Sequence, residues 1–272
     1  MECDVKPVRL AILGLGTVGG GALKLLQENA AEIKRRTGRE IQITHVGTRR
    51  PRPDLELEGI KQSADLLDIV RQPDVDVVVE VMGGIHPAYE IIMEAIKHGK
   101  QVVTANKALL AEHGNELFKA AEDNAVQIAY EAAVAGGIPI IKVIREGLAA
   151  NHIEWLAGII NGTGNFILTE MREKGRAFDD VLKEAQELGY AEADPTFDVE
   201  GIDAAHKLTI LASCAFGTPL QFDKVYTEGI SKITAQDVKY AEDLGFRIKH
   251  LGIARRAEKG IELRVHPTLI PD

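Results

Sequence analysis

Short apolar runs alternate with helical patterns along the first half of the chain. VRLAIL (8–13), IQITHVG (41–47) and VDVVVEVMGG (75–84) have the composition of buried parallel strands. ALKLLQENAAEIKRR repeats its apolar residues at helical spacing and predicts one helix that ends at Gly38. YEIIMEAIKHGK, QVVTANKALLAEHG and AVQIAYEAAVAGGIPI continue the alternation. The pattern predicts an α/β fold built on a parallel sheet.

The second half of the chain has a different order of elements. The predicted helices are PIIKVIREGLAAN (139–151), FDDVLKEAQELGY (178–190) and IDAAHKLTILASCAF (202–216). IEWLAGIING (153–162) predicts a long strand, and RIKHLGIARR and IELRVHPTLI predict an antiparallel hairpin around AEKG. We therefore expect two domains, an α/β domain over residues 1–136 and an α+β domain over residues 137–272.

A glycine-rich turn lies between the first predicted strand and the first predicted helix. Gly14, Gly16 and Gly19 form G-x-G-x-x-G, with Thr17 and Val18 inside the motif. In a strand–turn–helix context this spacing is typical of a Rossmann-type dinucleotide site, because the backbone can approach a pyrophosphate at the helix N-terminus. The alternative is a glycine-rich turn that binds no ligand.

Two arginines follow the second predicted strand, where an NAD-specific protein usually has an acidic residue. Arg49 and Arg50 stand at this position, and guanidinium groups suit the 2′-phosphate of NADPH. The sequence therefore favours NADP(H) over NAD(H). A solvated basic turn that includes Arg52 is the alternative.

Several polar residues and glycines fall where predicted strands of the first half end. Gly83, Asn106, Lys107 and Glu131 are expected at the carboxyl edge of the sheet, where such folds bind ligands. A lysine at a helix start opposes the helix dipole, so Lys107 is expected to face an anion or substrate. The alternative is an ordinary surface lysine.

The helix predicted over 202–216 is apolar nearly all round, yet it carries Asp203 and Lys207 four residues apart. Such a helix is buried, and a lysine held away from water beside a carboxylate suits general acid–base catalysis. Glu192 and Asp198 precede it and could bind a cationic group of a substrate. The alternative is an ordinary surface ion pair between residues i and i+4.

Composition excludes several classes of protein. The 272 residues carry a net charge of −9, which argues against general nucleic-acid binding, and no apolar run approaches the ~20 residues of a membrane span. MECDVKPVRLAILG lacks the features of a signal peptide. Cys3 and Cys214 form neither a metal-binding spacing nor a disulfide framework. We expect a cytoplasmic protein that acts on a small molecule and contacts neither membrane nor nucleic acid.

The chain resembles the homoserine dehydrogenase family along almost its whole length. The matching stretches are GLGTVGGG, VVVEVMGG, VVTANKALLAEHG, EAAVAGGIPII, GIINGTGNFIL and AQELGYAEADPTFDVEGIDAAHKLTILA. The resemblance implies a nucleotide-binding domain, followed by a substrate-binding and dimerising α+β domain. It implies an oxidoreductase that interconverts aspartate semialdehyde and homoserine with NAD(P)H, in threonine and methionine biosynthesis, and a homodimer.

The resemblance also implies roles for individual residues. Lys207 matches a proton donor, Asp203 a substrate-binding aspartate and Glu192 a contact to the substrate's amino group. Lys107 matches a lysine near nicotinamide and substrate, and Gly189 a cofactor contact. A sodium site is implied by the Glu131 side chain together with backbone carbonyls; these belong to Val134, Gly136 and Ile138.

One departure from the family concerns the end of the chain. Family members typically continue into a glycine-rich cofactor-contacting segment and often an ACT domain, so we expect the second domain to be incomplete. A non-catalytic NADPH-binding protein or an inactive fragment is therefore an alternative. An aldehyde dehydrogenase of the phosphorylating type is disfavoured, because neither Cys3 nor Cys214 has the setting of a nucleophile.

Overall fold

A computed structural model of the protein describes residues 6–272. The chain forms two compact units, of which the first ends at Gly137 and the second begins at Ile138. None of the helices within residues 6–272 has the length and apolar character needed to cross a membrane.

The first unit is built on a parallel six-stranded sheet. Its strands are Val8–Leu13 (β1), Ile41–Gly47 (β2), Lys61–Ser63 (β3), Val77–Glu80 (β4), Gln101–Thr104 (β5) and Ile128–Ala129 (β6). Their order is β3-β2-β1-β4-β5-β6, and every pairing is parallel. Its helices are Thr17–Glu28 (α1), Ala30–Thr37 (α2), Leu66–Arg71 (α3), Ala88–Lys97 (α4) and Lys107–Asp123 (α5). The predicted Rossmann-type sheet is confirmed, and the strand order reverses between β1 and β4, where such folds bind ligands.

The apolar strand β1 is the centre of this unit. Ile12 and Leu13 are completely buried, and Leu23 of α1 packs into the same core cluster as Ile12. Burial on both faces explains why residues 10–13 of the strand are continuously apolar instead of alternating. The core therefore fixes the end of β1, from which the glycine-rich turn departs.

The helix predicted across residues 22–36 is interrupted, so the single-helix prediction is wrong. Asn29 leaves helical geometry with φ −104° and ψ 15°, and its side-chain amide donates to Leu25 O at 3.0 Å. Asparagine breaks helices in this way because its side chain competes for backbone partners. Gly38 ends α2 in the left-handed conformation, with φ 71°, as predicted.

The second unit combines a four-stranded sheet with helices. Its strands are Trp155–Gly158 (β7), Tyr226–Thr227 (β8), Phe246–Ala257 (β9) and Gly260–Pro271 (β10), and its α-helices are Ile140–Lys142 (α6), Gly162–Lys174 (α7), Phe178–Glu187 (α8), Thr196–Val199 (α9), Ile202–Phe216 (α10) and Ala235–Asp243 (α11). The sheet order is β7-β9-β10-β8. β9 and β10 form the predicted antiparallel hairpin, with Ala257 opposite Gly260.

Helix α10 packs against this sheet through small and apolar side chains. Ala205 and Leu208 are fully buried, and they share a core cluster with Ala254 of β9 and Val265 of β10. The predicted burial of this helix is confirmed. The polar residues of α10 are therefore held on a rigid element.

Two other predictions for the second unit need correction. Residues 139–151 do not form one α-helix, because α6 is followed by a π-helical turn over Val143–Gly147. The strand predicted over 153–162 ends at Gly158. Asn161 instead accepts a hydrogen bond from Gly164 N and so caps helix α7. A side chain that caps a helix favours a boundary at its own position.

Candidate active site

The turn between β1 and α1 has a backbone that only glycine allows at two positions. Gly14 has φ +98°, and a Cβ built on Gly19 would lie 1.8 Å from Gly14 O. A Cβ on Gly16, by contrast, would have no heavy atom of the described chain within 4 Å. Helix α1 begins next to this open position, so its N-terminal N–H groups border free space. The turn fits a pyrophosphate.

A cavity of about 1110 Å³ adjoins the turn, and the residues that line it include Gly14, Gly16, Arg49, Arg50 and Gly83. Its volume is that of a nucleotide-sized ligand site. Its basic residues lie at the end of β2, at the position expected for recognition of the ribose.

The arginines around this cavity differ in their partners. Arg52 forms an ion pair with Asp54 at 2.7 Å, and its hydrogen bonds lower the pKa of that carboxyl to about 2. Within residues 6–272, Arg49 and Arg50 make no ion pair, and both are exposed. Of the three guanidinium groups, two are therefore available to an anion.

A buried polar network fixes the carboxyl ends of β4 and β5. Glu80 is completely buried and accepts hydrogen bonds from Met82 N at 2.8 Å and Thr104 Oγ1 at 2.7 Å. Asn106 caps α5 through Leu109 N. The sequence alone did not identify Glu80 or Thr104 as functional residues. The feature that could have pointed to Glu80 is a carboxylate at the end of an otherwise apolar strand.

Lys107 is the first residue of α5, as predicted, and it is half-buried. The preceding Asn106 donates its side-chain amide to Gly84 O at 2.6 Å, which ties the helix start to the loop after β4. The position of Lys107 is therefore set by two neighbouring strand ends.

The segment that follows β6 contains the residues implied as a cation site. Glu131 begins a 3-10 turn that ends at Ala133. Ala135 and Gly136, which follow it, have φ of 61° and 57°. Val134 is buried, whereas Ile138 is exposed. The described residues contain no group of three or more His, Cys, Asp or Glu side chains suited to a metal. A cation site here would depend on main-chain carbonyls.

In the second unit, the ammonium group of Lys207 is held by two oxygens. Nζ donates to Asp203 Oδ2 at 2.6 Å and to Ile160 O at 2.9 Å. The Lys207 side chain is 20% exposed and that of Asp203 7%. The Glu170–Lys174 pair on α7 has the same spacing, but its lysine is 54% exposed. The Asp203–Lys207 pair therefore differs from an ordinary surface pair.

Asn161 connects this pair to a second aspartate. Its Nδ2 donates to Asp198 Oδ1 at 2.7 Å and to Asp203 Oδ2 at 2.9 Å, and the residue is 4% exposed. Sequence reasoning identified Asn161 only as part of a turn. The structure brings Asp198, Asp203 and Lys207 together around it.

The loop after α8 carries two residues for which the family resemblance implies a role, one in binding the substrate and one in binding the cofactor. Glu192 is exposed, and its main-chain carbonyl accepts from Gln186 Nε2 at 3.0 Å. Gly189 turns the chain with φ 76°. Among the described residues, no hydrogen bond or ion pair joins the Glu192 carboxylate to the group around Asn161.

Cys214, the cysteine that the structure describes, does not offer an alternative catalytic centre. Cys214 is half-buried within α10, and Cys3 lies outside the described residues. A half-buried cysteine near the C-terminal end of a helix lacks the setting that activates a thiolate, which is favoured by helix N-termini and neighbouring cations.

The parallel sheet, the glycine turn and the adjoining cavity define a dinucleotide-binding protein. A family model described as "Homoserine dehydrogenase, NAD binding domain" matches residues 14–131, and one described as "Homoserine dehydrogenase" matches residues 139–272. The chain belongs to the homoserine dehydrogenase family.

Curated relatives share most of this sequence. The homoserine dehydrogenase of Pseudomonas aeruginosa is 66% identical and that of Neisseria gonorrhoeae 60% identical, each over 98% of this chain and 62% of its own length. The chain thus spans 62% of the length of these relatives.

Solved structures share the fold. A homoserine dehydrogenase from Thiobacillus denitrificans has TM-score 0.95 and 64% identity over 98% of this chain and 62% of its own. That of S. aureus at pH 6.0 has TM-score 0.85 and 40% identity over 98% and 68% of the two chains. A hyperthermophilic archaeal homoserine dehydrogenase in complex with NADPH has TM-score 0.81 and 26% identity over 98% and 83%.

Proposed function

We propose that this protein catalyses the reversible reduction of aspartate semialdehyde to homoserine, as an NAD(P)-dependent oxidoreductase in threonine and methionine biosynthesis. The observation that carries the proposal is the Lys207 ammonium, held by Asp203 and the Ile160 carbonyl on a largely buried helix. Family membership supplies the reaction, and this group supplies its acid–base chemistry.

Lys207 acts as the general acid in the reducing direction. It gives a proton to the aldehyde oxygen as negative charge develops there, and it takes the proton back when homoserine is oxidised. Asp203 holds the ammonium in place and stabilises its charge. Lys107 is assigned, from the family resemblance, as a lysine near nicotinamide and substrate that helps to stabilise negative charge.

The carboxylates near Lys207 bind the substrate. Asp198 and Asp203 both accept hydrogen bonds from Asn161, so two carboxylates accompany the single ammonium of Lys207. The excess negative charge suits the ammonium group of an amino-acid substrate. We assign Glu192, on the exposed loop, to the same amino group.

The first unit, residues 1–136 in the domain division we expect, binds the dinucleotide. Gly14, Gly16 and Gly19 receive the pyrophosphate, with the N–H groups of Thr17 and Val18 at the start of α1. Bound NADPH supplies the hydride. Lys107 and Gly189 are assigned as further contacts to it.

Arg49 and Arg50 give the preference for NADP(H) over NAD(H). Both line the cavity beside the glycine turn, and neither is neutralised by a carboxylate of the described chain. Planar guanidinium groups bind a phosphate through two hydrogen bonds. The hyperthermophilic relative solved with NADPH supports the same cofactor.

A monovalent cation, sodium, is assigned to the segment after β6. The Glu131 carboxylate and the carbonyls of Val134, Gly136 and Ile138 would supply oxygen ligands, which hard cations prefer. Ala135 and Gly136 both have left-handed backbone conformations, so the main chain turns sharply within this segment, which supports the assignment.

Residues 137–272 bind the substrate and form a homodimer. One face of the four-stranded sheet packs on α10, whereas Trp155 on β7 and Tyr226 on β8 are 66% and 56% exposed. Exposed aromatic side chains on a sheet face favour a protein partner. We assign the enzyme to the cytoplasm, where biosynthetic reactions draw on NADPH.

The test is NADPH formation, followed by absorbance, when homoserine and NADP⁺ are added to the purified protein. We expect activity that Lys207→Ala lowers by at least ~100-fold, since a general acid contributes this much or more. Lys174→Ala is the matched control, because Lys174 has the same spacing from Glu170 but is exposed.

Three outcomes are informative. Activity in the wild-type protein and in Lys174→Ala, together with a loss of at least ~100-fold in Lys207→Ala, supports the proposal. Unchanged kcat in Lys207→Ala overturns the assignment of the acid. NADPH binding without any homoserine-dependent reaction in the wild-type protein points to a non-catalytic binding protein.

A further inference from the structure

Asn161 caps helix α7, and its side chain also contacts both aspartates beside Lys207. We propose that Asn161 is a positioning residue that fixes Asp198 and Asp203, and through Asp203 the ammonium of Lys207, in the arrangement needed for proton transfer. This inference rests on the proposed function. It is carried by the 2.7 Å and 2.9 Å hydrogen bonds from Asn161 Nδ2 to the two carboxylates.

The orientation of the Asn161 amide follows from its partners. Nδ2 carries two hydrogens, and it has two carboxylate acceptors. Oδ1 accepts a hydrogen bond from Gly164 N at 2.8 Å. A flipped amide would place its oxygen against two carboxylates and its NH₂ group against an N–H donor. The network therefore admits one orientation.

The two carboxylates need this amide in order to remain close together. Asp198 and Asp203 are like charges, and both accept from a single nitrogen. Asn161 is 4% exposed, so water does not readily take its place. Without the amide, repulsion favours separation of the carboxylates, and Asp203 loses one of the hydrogen bonds that orient it.

The main chain at the same position constrains the lysine. Ile160 O accepts from Lys207 Nζ at 2.9 Å, while the next residue, Asn161, binds Asp203. Two adjacent residues thus hold both members of the Asp203–Lys207 pair. A shift of this dipeptide would move the acid and its carboxylate together.

The dipeptide is itself attached to the sheet of the second unit. Asn165 Nδ2 donates to Asn161 O and to His250 O, each at 3.0 Å, and Asn165 Oδ1 accepts from His250 N at 3.0 Å. Because β9 is a central strand of the sheet, these bonds give Asn161 a rigid support. Rigid support is what a positioning residue requires.

The experiment uses Asn161→Asp and Asn161→Ser in the whole protein. Both variants keep a side-chain oxygen to cap α7, whereas neither provides the amide donors. Asn161→Asp is nearly isosteric and places a third carboxylate beside the other two. Asn29→Asp is the matched control, because Asn29 also begins a helix and donates its amide, but at an exposed position.

We expect Asn161→Asp to lower kcat for homoserine oxidation by ~100-fold and to raise KM for homoserine, since small misplacements of reacting groups have effects of this size. Asn161→Ser should show a smaller loss in the same direction. The Kd for NADPH, measured by fluorescence, should be unchanged in both variants. Asn29→Asp should match the wild-type protein in every measurement.

A crystal structure of Asn161→Asp separates failure of this inference from failure of the proposed function. Displacement of Asp198 from Asp203, or of Lys207 Nζ from Ile160 O, supports positioning even where no homoserine-dependent activity is found. Unchanged positions of these groups overturn it. Unchanged kcat and KM in an active protein overturn it too, as does a loss of NADPH binding equal to the loss of kcat, because the role would then be general stability.

Discussion

Three glycines at the start of α1 should respond differently to the same substitution by alanine. A Cβ on Gly19 would lie 1.8 Å from Gly14 O, well inside van der Waals contact. A Cβ on Gly16 or on Gly21 would meet no heavy atom of the described chain within 4 Å. Gly16 borders the cavity, whereas Gly21 is exposed farther along α1.

The expected sizes follow from these distances. Gly19→Ala forces the turn and the helix apart, so we expect at least ~3 kcal/mol of destabilisation, which is roughly 6–12 °C in Tm for a chain of this size. Gly16→Ala should change stability by less than ~1 kcal/mol, because its extended backbone suits alanine. Gly21→Ala should stabilise the helix by about 0.5–1 kcal/mol.

The assay is thermal unfolding together with NADPH titration by fluorescence. Gly16→Ala should raise the Kd for NADPH by at least ~10-fold, since its methyl group fills the space left for the pyrophosphate and each ~1.4 kcal/mol is tenfold in affinity. Gly21→Ala should bind NADPH as the wild-type protein does. The reasoning is refuted if Gly16→Ala binds NADPH normally, or if it unfolds as early as Gly19→Ala.

Three further predictions follow from other contacts. Replacing both Arg49 and Arg50 by Ser should raise KM for NADPH by at least ~10-fold and leave KM for NADH unchanged, because each lost phosphate contact weakens binding. Steady-state kinetics with the two cofactors measures this, and equal effects on both would contradict it. Asn165→Ser should lower the free energy of unfolding by roughly 2–4 kcal/mol, since it leaves buried groups of Asn161 and His250 without partners. Denaturant unfolding measures this change. A change within experimental error would show that Asn165 does not hold Asn161 on the sheet. Burial lowers the pKa of His45 and of His250 in the folded protein. As pH falls, these histidines therefore bind protons at a higher pH in the unfolded chain than in the folded one. The free energy of unfolding should fall as pH drops below about 6.5. His250→Gln should flatten part of that slope in thermal scans from pH 7 to 5, and an unchanged slope would show that His250 does not contribute to it.

Sequence patterns predicted those elements whose burial leaves a clear signature. β1, α10 and the β9–β10 hairpin follow from continuous or alternating apolar residues, and the glycine spacing predicted the turn at Gly14. The break at Asn29 and the π-helical turn over Val143–Gly147 were not predictable, because each depends on local hydrogen bonds that apolar periodicity does not encode.

In the candidate site, too, some residues were predictable from the sequence and others were not. The Asp203–Lys207 pair was predictable because both residues lie on one helix and share a face. Asn161 was not, since its partners Asp198 and Asp203 are 37 and 42 residues away along the chain. Glu80 was missed for a similar reason, because its partner Thr104 belongs to a neighbouring strand. Contacts of this kind become visible only once the strands and helices are packed.

If Lys207 is the general acid of the proposed function, the two bonds that anchor its nitrogen have a consequence for reversibility. A protonated amine has three hydrogens in tetrahedral array, and two of them are engaged by Asp203 and Ile160. The third hydrogen can depart while both anchors stay intact. The vacated corner of the tetrahedron then holds a lone pair with the same direction in space. The nitrogen can thus reclaim a proton along the line by which it released one, without any rotation of the side chain.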